Sequence, residues 1–219
     1  MYVDLVSKTT GVGKYKNLSS EEIIAAIARH GTIKKDNGKL VKYLMSNRHW
    51  SPLDMISFAF EIETSRDIGR QILRHKSAFF QEHSTRYSDR VGFEPIELRK
   101  EHPTNRQSST EVFDPYIESL DDKASESIEK HLAHVEKLYH ALLDAGVAKE
   151  CARSVLPGCL TTTMTINATL RTWLSFLNVR CEQHSQREIR EIAELIGARL
   201  EKELPNVFQQ IDWRNGFFM

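Results

Sequence analysis

The sequence predicts an α+β fold: one domain over residues 1–219, with a small sheet packed by several helices, one of them long and central. Three observations carry this. Ile56, Phe58, Phe60 and Ile62 alternate with Ser57, Ala59, Glu61 and Glu63, the period of a strand with one buried face. Leu120, Ala124, Ile128, Leu132, Val135, Leu138 and Leu142 recur at threes and fours, the period of a long amphipathic helix over about 116–145. No internal repeat or low-complexity linker divides the chain.

The other elements follow from local signals. Ser19 and Glu22 have capping-box spacing, and Ile23, Ile24 and Ile27 give the helix behind them an apolar face. A second helix is expected over Lys39–Ser46 with Leu40, Tyr43 and Leu44 inward. Ser65 can cap a helix carrying Ile68, Gln71, Ile72 and Arg74. Residues 99–110 are polar and unpatterned and read as an exposed excursion. Gly146 is the natural stop of the long helix, and a short helix near Lys149–Val155 ends at Pro157. Leu160–Ile166 is Thr-rich and β-leaning, and helices are expected near Arg171–Asn178 and Gln186–Glu203.

Lys plus Arg and Asp plus Glu both count 30, so no overall field recruits nucleic acid or an anionic membrane, and an anion must be caught by a local cluster. Cys151, Cys159 and Cys181 are odd in number and form no C-x-x-C pair, which fits a reducing compartment better than a disulfide framework. The start lacks a signal-peptide profile and no apolar run approaches a bilayer span, so a cytoplasmic protein is expected.

The densest polar cluster is Arg74-His75-Lys76-Ser77 followed by Gln81-Glu82-His83-Ser84-Thr85-Arg86-Tyr87-Ser88. Guanidinium forks, short hydroxyls and backbone N–H groups suit a phosphate. By composition alone the same residues also read as a solvated turn. Spacing separates the two: Arg-His-Lys, seven residues, then Ser84 resembles the Arg-His-Arg, seven residues, Ser signature of flavin-dependent thymidylate synthases. His49-Trp50-Ser51-Pro52, Arg70-Gln71-Ile72-Leu73, Ala152-Arg153-Ser154-Val155-Leu156-Pro157 and Leu170–Arg180 with His184 resemble further segments of that family, in the same order. Lys76 stands where the signature has its second Arg, Ser175 where an amide or imidazole is frequent, and Thr169 where Asn is common. These departures bear on flavin affinity rather than on the reaction class.

The resemblance implies reductive methylation of dUMP to dTMP, with 5,10-methylenetetrahydrofolate as carbon donor and FAD reduced by NADPH, in a homotetramer whose sites draw on several subunits. Gln71, Ile72, Leu73, Arg74, Glu82, His83, Ser84, Thr85 and Arg86 would hold dUMP, with Arg153 reaching its phosphate from a neighbouring subunit. Ser51, Arg74, His75, Lys76, Glu82, Thr169, Leu170, Arg171 and Ser175 would contact FAD, with His49 and His184 close by. Arg180 would be the catalytic cation against the uracil edge, where a fixed charge stabilises the electron density that builds on the ring. No cysteine sits in these segments as an activated nucleophile, which fits a flavin route.

Competing patterns are weaker. His131 and His134 share a face of the long helix, but His140 diverges and no H-E-x-x-H appears, so solvent-exposed histidines are expected and no metal site. The aromatic tail Trp213, Phe217 and Phe218 is expected to pack on its own subunit or on an oligomer interface.

Overall fold

The computed structural model describes residues 1–34, 37–87 and 89–215. In chain order the elements are β1 (Tyr2–Lys8), α1 (Ser20–Ala28), α2 (Gly38–Ser46), β2 (Ser57–Ser65), α3 (Arg66–Ile72), β3 (Phe79–Glu82), β4 (Arg99–Glu101), β5 (Ser109–Val112), β6 (Tyr116–Ile117), β7 (Asp122–Lys123), α4 (Ala124–Asp144), α5 (Lys149–Ala152), β8 (Thr161–Thr169), α6 (Leu170–Arg180), α7 (Arg187–Glu203) and α8 (Pro205–Phe208). Four strands form one sheet in the order β1-β2-β8-β3; β4-β5 and β6-β7 are antiparallel pairs. The fold is α+β, as expected.

The chain forms two compact units, residues 1–62, 71–81 and 164–219 in the first and 63–70 and 82–163 in the second. The first holds a dense apolar core. Trp173 is its centre: its indole N–H donates to the Phe58 carbonyl at 3.0 Å, and its ring meets Phe60 and Phe176 edge-on at 5.1 and 5.7 Å between centroids. Ile192, Ala193, Ile196 and Leu200 on α7 are fully buried, the stripe expected of an amphipathic helix. At the start of α1 the capping box is complete, Ser19 Oγ accepting from Glu22 N–H and the Glu22 carboxylate from Ser19 N–H. Glu21, buried in the same turn, accepts from Val207 N–H and Asn206 Nδ2 at 2.9 and 2.6 Å, tying α1 to α8.

Two expectations change in phase or extent. In α2 the buried residues are Val41, Leu44 and Met45, while Tyr43 is exposed: the inward stripe is rotated because α2 packs on both α1 and α8. Residues 99–110 are not unstructured but carry an exposed hairpin, β4-β5, whose polar strands have no core face to reveal an alternation.

The second unit buries less. The long helix begins at Ala124 rather than 116, because residues 116–123 form the β6-β7 pair and Asp114 caps the helix by accepting from Ser125 N–H and Oγ. It is not central: among its residues only Ala124, Val135 and Tyr139 are buried, and Leu138 is exposed. His131, His134 and His140 lie on its exposed surface. Gly146 ends it at φ 85°, a left-handed conformation that glycine adopts without strain. No described helix is long and apolar enough to cross a membrane.

Candidate active site

The signature residues leave α3 in a series of tight turns. Arg74 and His75 N–H donate to the carbonyls of Gln71 and Ile72, and Lys76 N–H to Arg74 O at 3.0 Å, before β3 begins at Phe79. Arg74 and Lys76 therefore point outward, exposed and with no ion-pair partner among the described residues. Two like charges held close on one short loop favour a polyanionic ligand. Ile72 is buried, and Leu73 is exposed.

His75 turns the other way. Its ring lies 4.8 Å from that of Phe176, and its Nε2 accepts a hydrogen bond from Arg180 Nε at 3.0 Å. Arg180 Nη2 also donates to the Gln71 carbonyl at 2.9 Å, and the Gln71 side chain donates to Gln186 Oε1 at 2.6 Å. Burial, then the Arg180 charge, lowers the His75 pKa from 6.5 to about 4. Burial also lowers that of Arg180, which stays protonated at neutral pH. In the same unit Thr169 caps α6, accepting from Thr172 N–H at 3.3 Å and donating to Asp54 Oδ1 at 3.3 Å, while Arg171 pairs with Asp54 at 3.2 Å. Leu170 is buried, so only its backbone can face a ligand; Ser51 and Ser175 are exposed.

The second unit brings together another part of the predicted set. Glu82 accepts from Thr162 Oγ1 at 2.9 Å and pairs with Arg66 Nε at 3.4 Å, and Arg66 Nη1 reaches Thr85 Oγ1 at 3.4 Å. Ser84 closes a turn in which its hydroxyl accepts from Arg86 N–H and its carbonyl from Tyr87 N–H. Arg86 pairs with the Glu150 carboxylate at 3.5 Å, and Arg153 Nε donates to the Glu150 carbonyl at 3.3 Å, so one residue of α5 touches both predicted phosphate ligands. His83 and Thr85 line an open cleft of about 430 Å³ together with Glu63, Arg90, Glu94 and Thr161.

Arg66, Glu150 and Thr162 are the residues that sequence reasoning missed. Arg66 and Thr162 lie far along the chain from Glu82, and Glu150 from Arg86, so no spacing marks these pairs; only the positions of Arg66, directly after the Ser65 cap, and of Glu150, close before Arg153, offer a hint. Two of the three cysteines, Cys159 and Cys181, are poor nucleophiles. Burial raises the Cys159 thiol and pushes Cys181 up to about 12, and Cys151 is exposed. Among the described residues no group of three or more His, Cys, Asp or Glu is placed to hold a metal ion.

Comparison with known proteins gives this arrangement a family. The model of the thymidylate synthase complementing protein family matches residues 12–206. The chain belongs to the flavin-dependent thymidylate synthases. A flavin-dependent thymidylate synthase from Synechocystis sp. is 37% identical over 200 residues, covering 90% of this chain and 91% of the relative. A probable flavin-dependent thymidylate synthase from Paramecium bursaria Chlorella virus 1 is 34% identical, covering 97% of this chain and all of the relative. The crystal structure of a UMP/dUMP methylase, PolB, from Streptomyces cacaoi bound with 5-Br UMP superposes with a TM-score of 0.81 at 26% identity, over 100% of this chain and 96% of that one. Like its relatives in the flavin-dependent thymidylate synthase family, this chain is a methyltransferase that works with a flavin cofactor.

Proposed function

We propose that the chain, one catalytic domain over residues 1–219, converts dUMP to dTMP in the cytoplasm as a homotetramer, taking carbon from 5,10-methylenetetrahydrofolate and electrons from NADPH through FAD. The observation that carries this reading is the pairing of a signature loop, Arg74-His75-Lys76, with Arg180 through His75. A half-buried guanidinium held by fixed acceptors is a preorganised cation, which is what charge building on a uracil ring requires.

The donor set fits FAD. Exposed Arg74 and Lys76 suit a diphosphate, and the exposed hydroxyls of Ser51 and Ser175 add neutral hydrogen-bonding groups. Arg171 keeps donors beyond its Asp54 pair, and Thr169 orients that carboxylate. When bound, the reduced flavin supplies the electrons that turn a transferred one-carbon unit into a methyl group. Arg180 and Gln71 then address the base, Glu82, His83, Ser84 and Thr85 the nucleoside, and Arg86 and Arg153 the phosphate. Val112, Phe113, Tyr116, Leu120 and Leu138, all exposed apolar side chains of the second unit, support association with further copies. The name of the Streptomyces methylase brings UMP in as an alternative acceptor.

The test is direct. Purified protein should carry visible flavin absorption, scatter light as a tetramer, and form dTMP only with dUMP, NADPH and the folate all present. A colourless protein that cannot be reconstituted with FAD overturns the cofactor assignment. A stable monomer that turns over dUMP overturns the tetramer, and faster methylation of UMP replaces the substrate.

A further inference from the structure

Arg180 ends α6 with two of its N–H groups already committed inside the first unit. The Nε–H meets Nε2 of His75, and Nη2 meets the Gln71 carbonyl, so the side-on edge of the guanidinium is filled. An imidazole nitrogen that accepts a hydrogen bond carries no proton, so the His75 proton resides on Nδ1. A cationic ring would instead turn an N–H toward the guanidinium and set two positive charges in contact. The ring has little freedom to avoid this. It lies edge-on to Phe176, and its backbone N–H donates to Ile72 O at 3.1 Å. Burial beside Arg180 also disfavours the cation, lowering the pKa to about 4.

We propose that His75 is the positioning residue of Arg180: a neutral, Nδ1-protonated imidazole that, with the Gln71 carbonyl, clamps the inner edge of the guanidinium and leaves its end-on fork for the substrate. The proposal rests on the assignment of Arg180 to the pyrimidine and gives His75 a second role beside its predicted flavin contact. An arginine has several rotatable bonds, and ordering them on binding opposes affinity. Two fixed acceptors order them beforehand. Among the described residues no other acceptor takes a bond from Arg180, so three of its five donors remain. They include the end-on pair, the planar fork that meets two adjacent acceptors. The same tautomer leaves Nδ1–H free to donate to the flavin, so one ring would serve both ligands.

Nitrogen-15 NMR of histidine-labelled protein, with the His75 signal assigned by its loss in His75→Gln, reads the tautomer without turnover. A neutral ring protonated on Nδ1 at pH 7 is expected; a cationic ring, or one protonated on Nε2, overturns the proposal. Turnover gives a second measurement. His75→Phe keeps an aromatic ring but no acceptor, and should lower kcat, measured at saturating FAD, roughly ten- to hundredfold. His75→Gln restores an acceptor oxygen and should retain roughly ten times the kcat of His75→Phe. Equal losses in the two variants overturn the clamp. Arg180→Ala separates the two levels of argument. If it keeps wild-type turnover, the assignment of Arg180 fails and the clamp with it. If it abolishes turnover while His75→Phe does not, only the clamp fails.

Discussion

Trp213 lies with the six-membered ring of its indole against Gly197 on α7, so closely that a Cβ at that position would overlap it. The ring is 2% exposed, edge-on to Phe208 and covered by the Arg214 guanidinium at 4.2 Å, so it has nowhere to withdraw. Glycine here is a packing requirement, since its helical backbone is open to any residue. Gly197→Ala should therefore destabilise by roughly 1–3 kcal/mol through overpacking, outweighing the gain of up to about 1 kcal/mol that Ala brings to a helix. Thermal unfolding reads this as a lower Tm. A Tm equal to or above wild type would show that the indole shifts without strain.

That contact also shows where the sequence was legible. The tail was expected to pack on its own subunit or an interface, and Trp213 does pack on its own chain; Phe217 and Phe218 lie outside the described residues. The Ser19–Glu22 capping box, the β2 alternation and the Ser65 cap were readable because each is a local relationship. The β4-β5 hairpin was not, because solvated strands carry no hydrophobic period. Heptad-like apolar spacing marked α4 correctly as a helix, but periodicity gives a face and not what covers it, so its exposed position was hidden. In the site, the signature pointed to Arg74 and His75 and the Leu170–Arg180 segment to Arg180, whereas Arg66 and Glu150 act on Glu82 and Arg86 across 16 and 64 residues.

The lowered pKa of His75 makes stability depend on pH. The folded ring titrates at about 4 and the ordinary value is 6.5, so between these the unfolded chain binds a proton that the folded chain does not. The contribution is therefore complete above pH 6.5 and is lost as pH falls toward 4. Arg180 is the charged group that faces the ring, and partial solvent access tempers the effect. In His75→Gln the difference in Tm between pH 7 and pH 5 should be smaller than in wild type. An unchanged difference would mean that the ring titrates normally in the folded protein.

Arg153 and Arg86 converge on Glu150, one through the carbonyl and one through the carboxylate. A phosphate reaching either cation would take the place of Glu150 as its ligand. Arg153→Ala should then weaken dUMP binding by roughly 1.5–3 kcal/mol, the range of a lost charged hydrogen bond. Deoxyuridine, which has no phosphate, should bind wild type and variant alike. If both ligands weaken equally, Arg153 does not read the phosphate.

Lys76 is where the signature changes from arginine, and it stands exposed between α3 and β3 with its backbone N–H fixed to Arg74 O. Arginine would offer the flavin a planar fork, whereas lysine offers a compact charge on a flexible stem. Long-range attraction is the same for both, so only directional bonding differs. One better-aligned charged hydrogen bond corresponds to roughly 1.5 kcal/mol, or about tenfold in affinity. Lys76→Arg should tighten FAD binding by up to that factor, and Lys76→Ala should weaken it by deleting the charge beside Arg74. Thr169 and Ser175, the other departures, temper the gain: the Thr169 hydroxyl is already engaged with Asp54 and Thr172 N–H, and Ser175 offers a shorter reach than an amide. The measurement is FAD titration of apoprotein for wild type and both variants at one salt concentration. Wild-type affinity in Lys76→Ala would remove Lys76 from the flavin site and leave Arg74 as the cation of that loop.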